Sequence, residues 1–386
     1  MLNSIVETIT NIFTAIGHGL GQAVAFVLKP FVWLGEAFTR LGFILKAAVG
    51  VGLIVLLGLY AYFFWTTQVW NGFNTNYAEA YAEATPTAGD VPEPSGDIVS
   101  GEKDAKDAQS SAAAEKTCRR SRLVDATANL VDFNVNQNAW ISSMLLYKLG
   151  LFGLAWDRTP YFDNKAAFQR GVHQAVQRTS VELVDNLGRV RGTSQADKNL
   201  EKARGDIQFN EVTWYFSFSP FGLTTPSPSF YRSSIKDLRR FNDRLEKCDA
   251  LFDARADNLL QFLDRIAKDI GGTSAVLRER SENYSSGWFD TRADDRFWFA
   301  YGQLYAYYGI LTATRTDFAN VIKDRSLEAI WDELEDQLKA SLNIQPAIIS
   351  NGAEAGWIMP SHLATLGFYV LRVRSNLVEI RLVLDR

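Results

Sequence analysis

One uninterrupted apolar run, Gly42 to Trp65 (GFILKAAVGVGLIVLLGLYAYFFW), constrains the rest of the chain. It carries one charge, Lys46. At about 1.5 Å of rise per residue, a helix of this length crosses a hydrocarbon core of roughly 30 Å. The run therefore predicts a transmembrane helix over 42–65. A cleaved signal peptide fits less well. Its apolar core would be too long, its leader of about forty residues too extended, and small-residue sites such as Ala78-Glu79-Ala80 lie far beyond the run.

Charge is distributed unevenly around that segment. Arg40 and Lys46 stand just before or inside its start, Lys29 lies further back, and the first cation after Trp65 is Lys103. The positive-inside rule then puts the N-terminus in the cytoplasm and the large C-terminal part outside, which in a bacterium is the periplasm of an inner-membrane protein. Residues 71–115 hold nine acids against Lys103 and Lys106, so the formal charge of −4 is concentrated there and the C-terminal part is close to neutral. Without a concentrated basic face, that part is not expected to bind nucleic acid.

The expected division has four parts. Residues 1–41 form a cytoplasmic or interfacial amphipathic segment, with Leu2, Ile5, Ile9, Ile12 and Ile16 on one face of a helix that would rest in the interface or pack on a membrane partner. Residues 42–65 are the transmembrane helix, with Tyr60, Trp65 and Trp70 at its outer aromatic belt. Residues 66–115 are an acidic flexible tether. Over 83–115 almost no large apolar residue offsets the entropy of ordering, and Pro86, Pro92 and Pro94 fall close together. Residues 116–386 are a periplasmic helical domain.

Within that domain the spacing of apolar residues is helical. Helices are predicted over 116–133, 164–190, 294–319, 326–342 and 360–385, with a short apolar segment over 139–152. One long helix is predicted over 230–270, with Leu238, Phe241, Leu245, Cys248 and Phe252 on its buried stripe and a stop at Gly271-Gly272. Residues 206–229 mix Phe209, Trp214, Tyr215, Phe216 and Phe218 with Pro220, Pro226 and Pro228, which reads as an ordered aromatic loop or a short hairpin covering the core. The fold class is all-α: a single N-terminal transmembrane helix followed by an antiparallel helical bundle with an aromatic, proline-rich loop.

Marks of the well-known catalytic families are missing. No G-x-S-x-G, G-x-x-x-x-G-K-[ST], H-E-x-x-H or C-x-x-C occurs. No catalytic residue, cofactor or metal site is assigned. The Asp294-Asp295 and Asp163-Asn164 pairs are read as helix starts that serve the N-cap and macrodipole rather than as cation ligands. His173 is read as structural. The candidates for a ligand site are His362, at the start of the last helix, Glu354 in the glycine-rich turn before it, and the aromatic seam Trp298, Tyr301 and Tyr305. Cys118 and Cys248 could bridge in an oxidising compartment if their helices pack together.

The soluble part resembles a bacterial family, domain of unknown function 2333. The similar stretches are Asp163-Asn164, Ser194 to Trp214, Ala254 to Leu259, Asp294 to Ser341, and Asn351-Gly352 through His362 to Arg381. The pattern departs after Asn164, where Lys165-Ala166-Ala167-Phe168 stand in place of a tryptophan and an acid. The resemblance implies a single-span, envelope-facing helical protein and brings no activity, cofactor or catalytic residue with it. The expected role is a membrane-anchored binding or scaffolding protein with an envelope protein as partner. The alternative is an enzyme or ligand-binding module acting on lipid or cell-wall fragments, with a pocket lined by Trp298, Tyr301, Tyr305 and His362.

Overall fold

The computed structural model describes residues 42–82, 118–150, 161–189, 195–354 and 356–386, with Lys29, Thr39, Trp156 and Thr159. The chain divides into two compact units, 1–62 and 63–386. In chain order the helices are α1 (Phe43–Gln68), α2 (Glu79–Ala82), α3 (Arg122–Asp132), α4 (Leu145–Leu149), α5 (Asn164–Glu182), α6 (Lys198–Ile207), α7 (Ser227–Glu246), α8 (Ala256–Asn283), α9 (Ala293–Asp317), α10 (Ala319–Asp324), α11 (Glu328–Leu342) and α12 (His362–Leu384). The strands β1 (Phe216–Phe218) and β2 (Phe221–Leu223) form one antiparallel hairpin. The all-α class holds. Among the described residues α1 alone is long and apolar enough to cross a membrane.

The larger unit is built around α9. Its sequence is apolar or aromatic on every side, so it has no face to offer solvent, and 19 of its 25 residues are buried. Three helices run antiparallel to it. On α3, the first turn caps on Asp317; on α8, Thr273 and Asp269 bond Gln303; and on α11, Leu342 accepts from Tyr301 while Glu335 pairs with Arg315. The fourth neighbour, α5, is parallel to α9. Its N-cap Asp163 lies beside Asp294, while beyond its C-terminus Leu187 bonds Asp253, next to the Phe252–Phe318 ring pair. Gly171 and Gly302 make the close approach of α5 and α9 possible. A Cβ on Gly302 would stand 2.1 Å from the Phe168 carbonyl oxygen, and one on Gly171 2.0 Å from that of Phe299. Outside this layer α12 lies antiparallel along α8, and α6 along α7.

The bundle therefore has two distinct ends. At the first end lie the N-termini of α5, α9 and α12 and the C-termini of α8 and α11. The C-terminus of α9 and the N-termini of α3 and α8 lie at the second. The chain enters at the first end, because the last residues of α1 already belong to this unit. Phe63 is fully buried against Trp156 at 4.9 Å, Gln68 donates to the Tyr161 carbonyl at 3.1 Å, and the Lys165 ammonium donates to the carbonyls of Thr66 and Val69 at 2.8 and 2.7 Å. From there the chain follows α9 toward its C-terminus. Trp70 packs on Trp298 at 5.2 Å, Phe73 and Tyr77 stack on Tyr305 at 5.5 and 4.4 Å, and the Tyr81 carbonyl accepts from Thr316. The described chain resumes at Cys118, bonded to Cys248, and Ser121 donates to Asp317 at 2.6 Å.

This placement corrects several expectations. Residues 66–82 are not tether; they form an aromatic strap built into the core. The acidic stretch 83–115, like the amphipathic segment 1–41 apart from Lys29 and Thr39, lies outside the described residues. It leaves from Tyr81 on Thr316 and returns to Ser121 on Asp317, both in the last turn of α9. The described residues on either side of it thus meet the same end of the domain. The long helix over 230–270 is two helices, broken where Cys248 adopts a positive φ of 59°. Cys248 is accordingly exposed in a turn, held by the disulfide, and not on a buried stripe. Gly271-Gly272 lies inside α8 and stops nothing, while α6 and α10 are additional helices. Residues 206–229 contain the short hairpin.

Candidate functional site

The five residues singled out from sequence do not form one site. Tyr301 and Tyr305 are sealed in the core, 0% and 2% exposed, among Phe73, Tyr77, Phe133 and Phe168. Burial pushes the Tyr301 hydroxyl up to about 12, so it serves as a donor, to the Leu342 carbonyl. His362 begins α12 with its Nδ1 accepting from the Ser350 amide at 2.9 Å, and partial burial lowers its pKa. Glu354 is exposed on the preceding loop. Of the seam, only Trp298 faces a cavity. His173 is enclosed by Trp140 and Tyr231, and burial lowers its pKa to about 4, which keeps the imidazole neutral.

That cavity is a recess of about 390 Å³ at the first end of the bundle, between the end of α1 and the start of α9. Its walls include Gln68, Trp70, Tyr161, Trp298 and Gln345. Behind them is a buried acid cluster. Asp163, fully enclosed, has neither oxygen on a donor; burial and then the carboxyls of Asp295 and Asp294 raise its pKa to about 10. Burial, then Asp295, raises Asp294 to about 7. Carboxyl oxygens brought this close cannot all be ionised, so the cluster holds protons at neutral pH. Asn164 ties it to the recess. With its amide oriented by its neighbours, Nδ2 donates to Asp294 at 3.1 Å and Oδ1 accepts from Trp298 Nε1 at 3.3 Å. The N-cap reading of Asp163 is thus corrected, since its side chain caps no amide. Among the described residues no group of three His, Cys, Asp or Glu side chains is placed to hold a metal ion.

A second cleft, of about 590 Å³, opens between α5, α8 and α9. Its rim carries Arg178, Arg265, Lys268 and Arg296, and its floor is the carboxylate of Asp269. Asp269 accepts from Gln174 at 2.8 Å, Arg178 at 3.2 Å, Gln303 at 2.5 Å and Tyr307 at 2.7 Å, so its oxygens are saturated. Arg265 pairs with Glu182 and Lys268 with Asp264. Four cations against the three carboxylates of Asp269, Glu182 and Asp264 leave the cleft with a small positive excess, which suits an anionic group. Sequence reading missed it because its cations come from three helices far apart in the chain.

At the first end, loops 284–292 and 343–361 are latched together. Asn351, fully buried, donates through Nδ2 to the carbonyls of Arg280 and Tyr284 and to Asp290, and exchanges backbone hydrogen bonds with Gly287. Burial works to raise Asp290, but the Arg280 ion pair and the Asn351 amide outweigh it and hold the carboxyl below its usual range.

No curated protein matches this chain, and no solved structure does. A family model described as an uncharacterized protein conserved in bacteria, domain of unknown function 2333, matches residues 98–286 and 278–386, from before the disulfide to the last residue. That match takes in the Asn351 latch, the basic cleft and the acid cluster, and it covers well over half of the chain: the protein belongs to this bacterial family.

Proposed function

We propose that this protein is a single-span component of the bacterial inner membrane whose helical domain stands in the periplasm and acts as a binding or scaffolding platform for other envelope components. The observation that carries the reading is the junction. The apolar helix runs unbroken to Gln68, and the residues after it are wedged along α9 from Trp70 to Tyr81. A domain fused to its anchor in this way is held at the bilayer surface, where it can present fixed surfaces to a partner. The cation placement around α1 supports an outward domain, and the Cys118–Cys248 bridge suits an oxidising compartment.

A ligand-binding role has one specific observation in its favour, the basic cleft around Asp269, which would take an anionic lipid or cell-wall fragment. Its candidate residues of sequence origin, Trp298, Tyr301, Tyr305 and His362, do not converge, so the platform reading stands first. Two measurements test it. A reporter fused after Arg386 is expected to be active only when it is a periplasmic enzyme; activity confined to a cytosolic reporter overturns the topology. Crosslinking in intact cells is expected to capture a reproducible envelope protein with the full chain, and its consistent failure overturns the platform role.

A further inference from the structure

On two adjoining loops at the first end, where the chain enters, Trp357 is 95% exposed, Phe289 82% and Ile358 65%, alongside Trp288. They sit on the loops 284–292 and 343–361. The connections at the second end, as far as they are described, contribute no large exposed apolar side chain.

These two loops carry little charge. The nineteen residues 343–361 contain one charged residue, Glu354, and 284–292 contain two, Arg292 and Asp290, the latter buried and paired with Arg280. The loops are rigidly presented. Asn351 latches them together, and Met359 fills the space over Gly287, where an added Cβ would lie 2.5 Å from its sulfur. An exposed aromatic at roughly 200 Å² apiece makes this a surface of several hundred Å², as large as the functional patches of monomeric proteins. One of the two loops begins beside the last residues of α1. Gln345 and Ala347, at the start of loop 343–361, line the same recess as Thr67 and Gln68 at the end of α1, and Trp65, 67% exposed, stands one turn below.

We infer that these two latched loops form a lipid-docking face, in which Trp357, Ile358, Phe289 and Trp288 enter the headgroup and upper acyl region of the bilayer. Aromatic and aliphatic side chains free of charge are what an interfacial surface buries, to a depth of about 5–10 Å. The inference rests on the membrane-anchor reading above. The occupant is the host bilayer because loop 343–361 begins beside Thr67 and Gln68, the last residues of the apolar helix, and Asn351 ties loop 284–292 to it.

The test uses the full chain reconstituted into vesicles of phosphatidylglycerol and phosphatidylethanolamine, with and without lipids brominated high on the acyl chain. Trp357→Phe and Trp288→Phe each give a difference spectrum that isolates one tryptophan. Both positions are at least half exposed, so neither substitution opens the core. The expected result is a blue-shifted Trp357 component that loses most of its intensity with brominated lipid and resists aqueous iodide. A Trp357 component quenched by iodide and indifferent to bromine overturns the inference. Alkaline carbonate extraction of the same vesicles separates this from failure of the anchor. A chain that stays in the membrane while Trp357 remains in water disproves docking alone, whereas a chain that is extracted disproves both.

Discussion

Replacing Gly302 by alanine puts a methyl group where the α5 backbone already stands. The new carbon would be 2.1 Å from the Phe168 carbonyl oxygen and 2.9 Å from its carbon. Carbon and carbonyl oxygen in ordinary contact are separated by roughly 3.3 Å, so α5 and α9 must part by about 1 Å. Two effects compete. Alanine is better than glycine inside a helix by about 1 kcal/mol. Overpacking a filled core costs about 1–3 kcal/mol, and a gap of about 1 Å forfeits a quarter to a half of the dispersion energy of each neighbouring contact, here those of Phe168 with Tyr301 and Tyr305. The steric effect wins, and Gly302→Ala is expected to lose about 2–4 kcal/mol. Gly272, in the middle of α8, supplies the control. Nothing lies within 4 Å of the position its added methyl would take, so Gly272→Ala is expected to gain about 0.5–1 kcal/mol. Urea unfolding of the full chain in detergent, followed by circular dichroism, measures both. Gly171→Ala is expected to match Gly302→Ala, and the double variant to cost less than the two together, because the helices have already separated. If Gly302→Ala is as stable as the parent while Gly272→Ala gains, the backbone contact between α5 and α9 is refuted.

Two further outcomes follow from the chemistry. The Cys118–Cys248 bridge spans 130 residues of sequence, so loop-closure entropy gives it at most about 5 kcal/mol. Neither cysteine is expected to alkylate before reduction and both after it, with a fall in the urea midpoint, and ready alkylation of the native oxidised chain would remove the bridge from the account. The acid cluster predicts a pH slope of definite sign. Asp163 and Asp294 have folded pKa values raised to about 10 and about 7, so the stability they contribute is complete below the unfolded value near 4 and is lost as pH rises through the folded values. Between pH 4 and 7 their contribution declines. Asp163→Asn is expected to flatten that decline and to stabilise the chain above pH 7 by on the order of 1–3 kcal/mol. Parallel pH profiles for variant and parent would show that Asp163 is not protonated in the fold.

What the sequence made legible was the helices with a single apolar seam. The seams of α11 and α12 match the packing observed, and α9 was visible as an aromatic helix, though its seam could not say that it would be surrounded. The break between α7 and α8 was hidden because Leu245, Cys248, Phe252 and Ala256 keep intervals of three and four straight through the turn, and the positive φ falls on a cysteine rather than a glycine. The strap was also missed. Trp70, Phe73, Tyr77 and Tyr81 recur every three or four residues, a usable signal, but the acidic composition that begins near Tyr77 pointed to solvent. Both cavities depend on contacts between distant helices. Asn164 with Trp298, and Arg178 with Lys268 and Arg296, have no local signature, and Asn351 looked like one polar residue in a glycine-rich turn rather than the clasp between two loops.

The strap along α9 also determines how the domain would bear load. A pull on the apolar helix is taken up at once by the stacked rings of Phe73, Tyr77 and Tyr305 and by the Lys165 ammonium on the carbonyls of Thr66 and Val69. The residues that flank the acidic segment, Tyr81 and Ser121, both bond the final turn of α9. A force applied at Thr66 and Val69 therefore passes into the larger unit through its own hydrophobic centre.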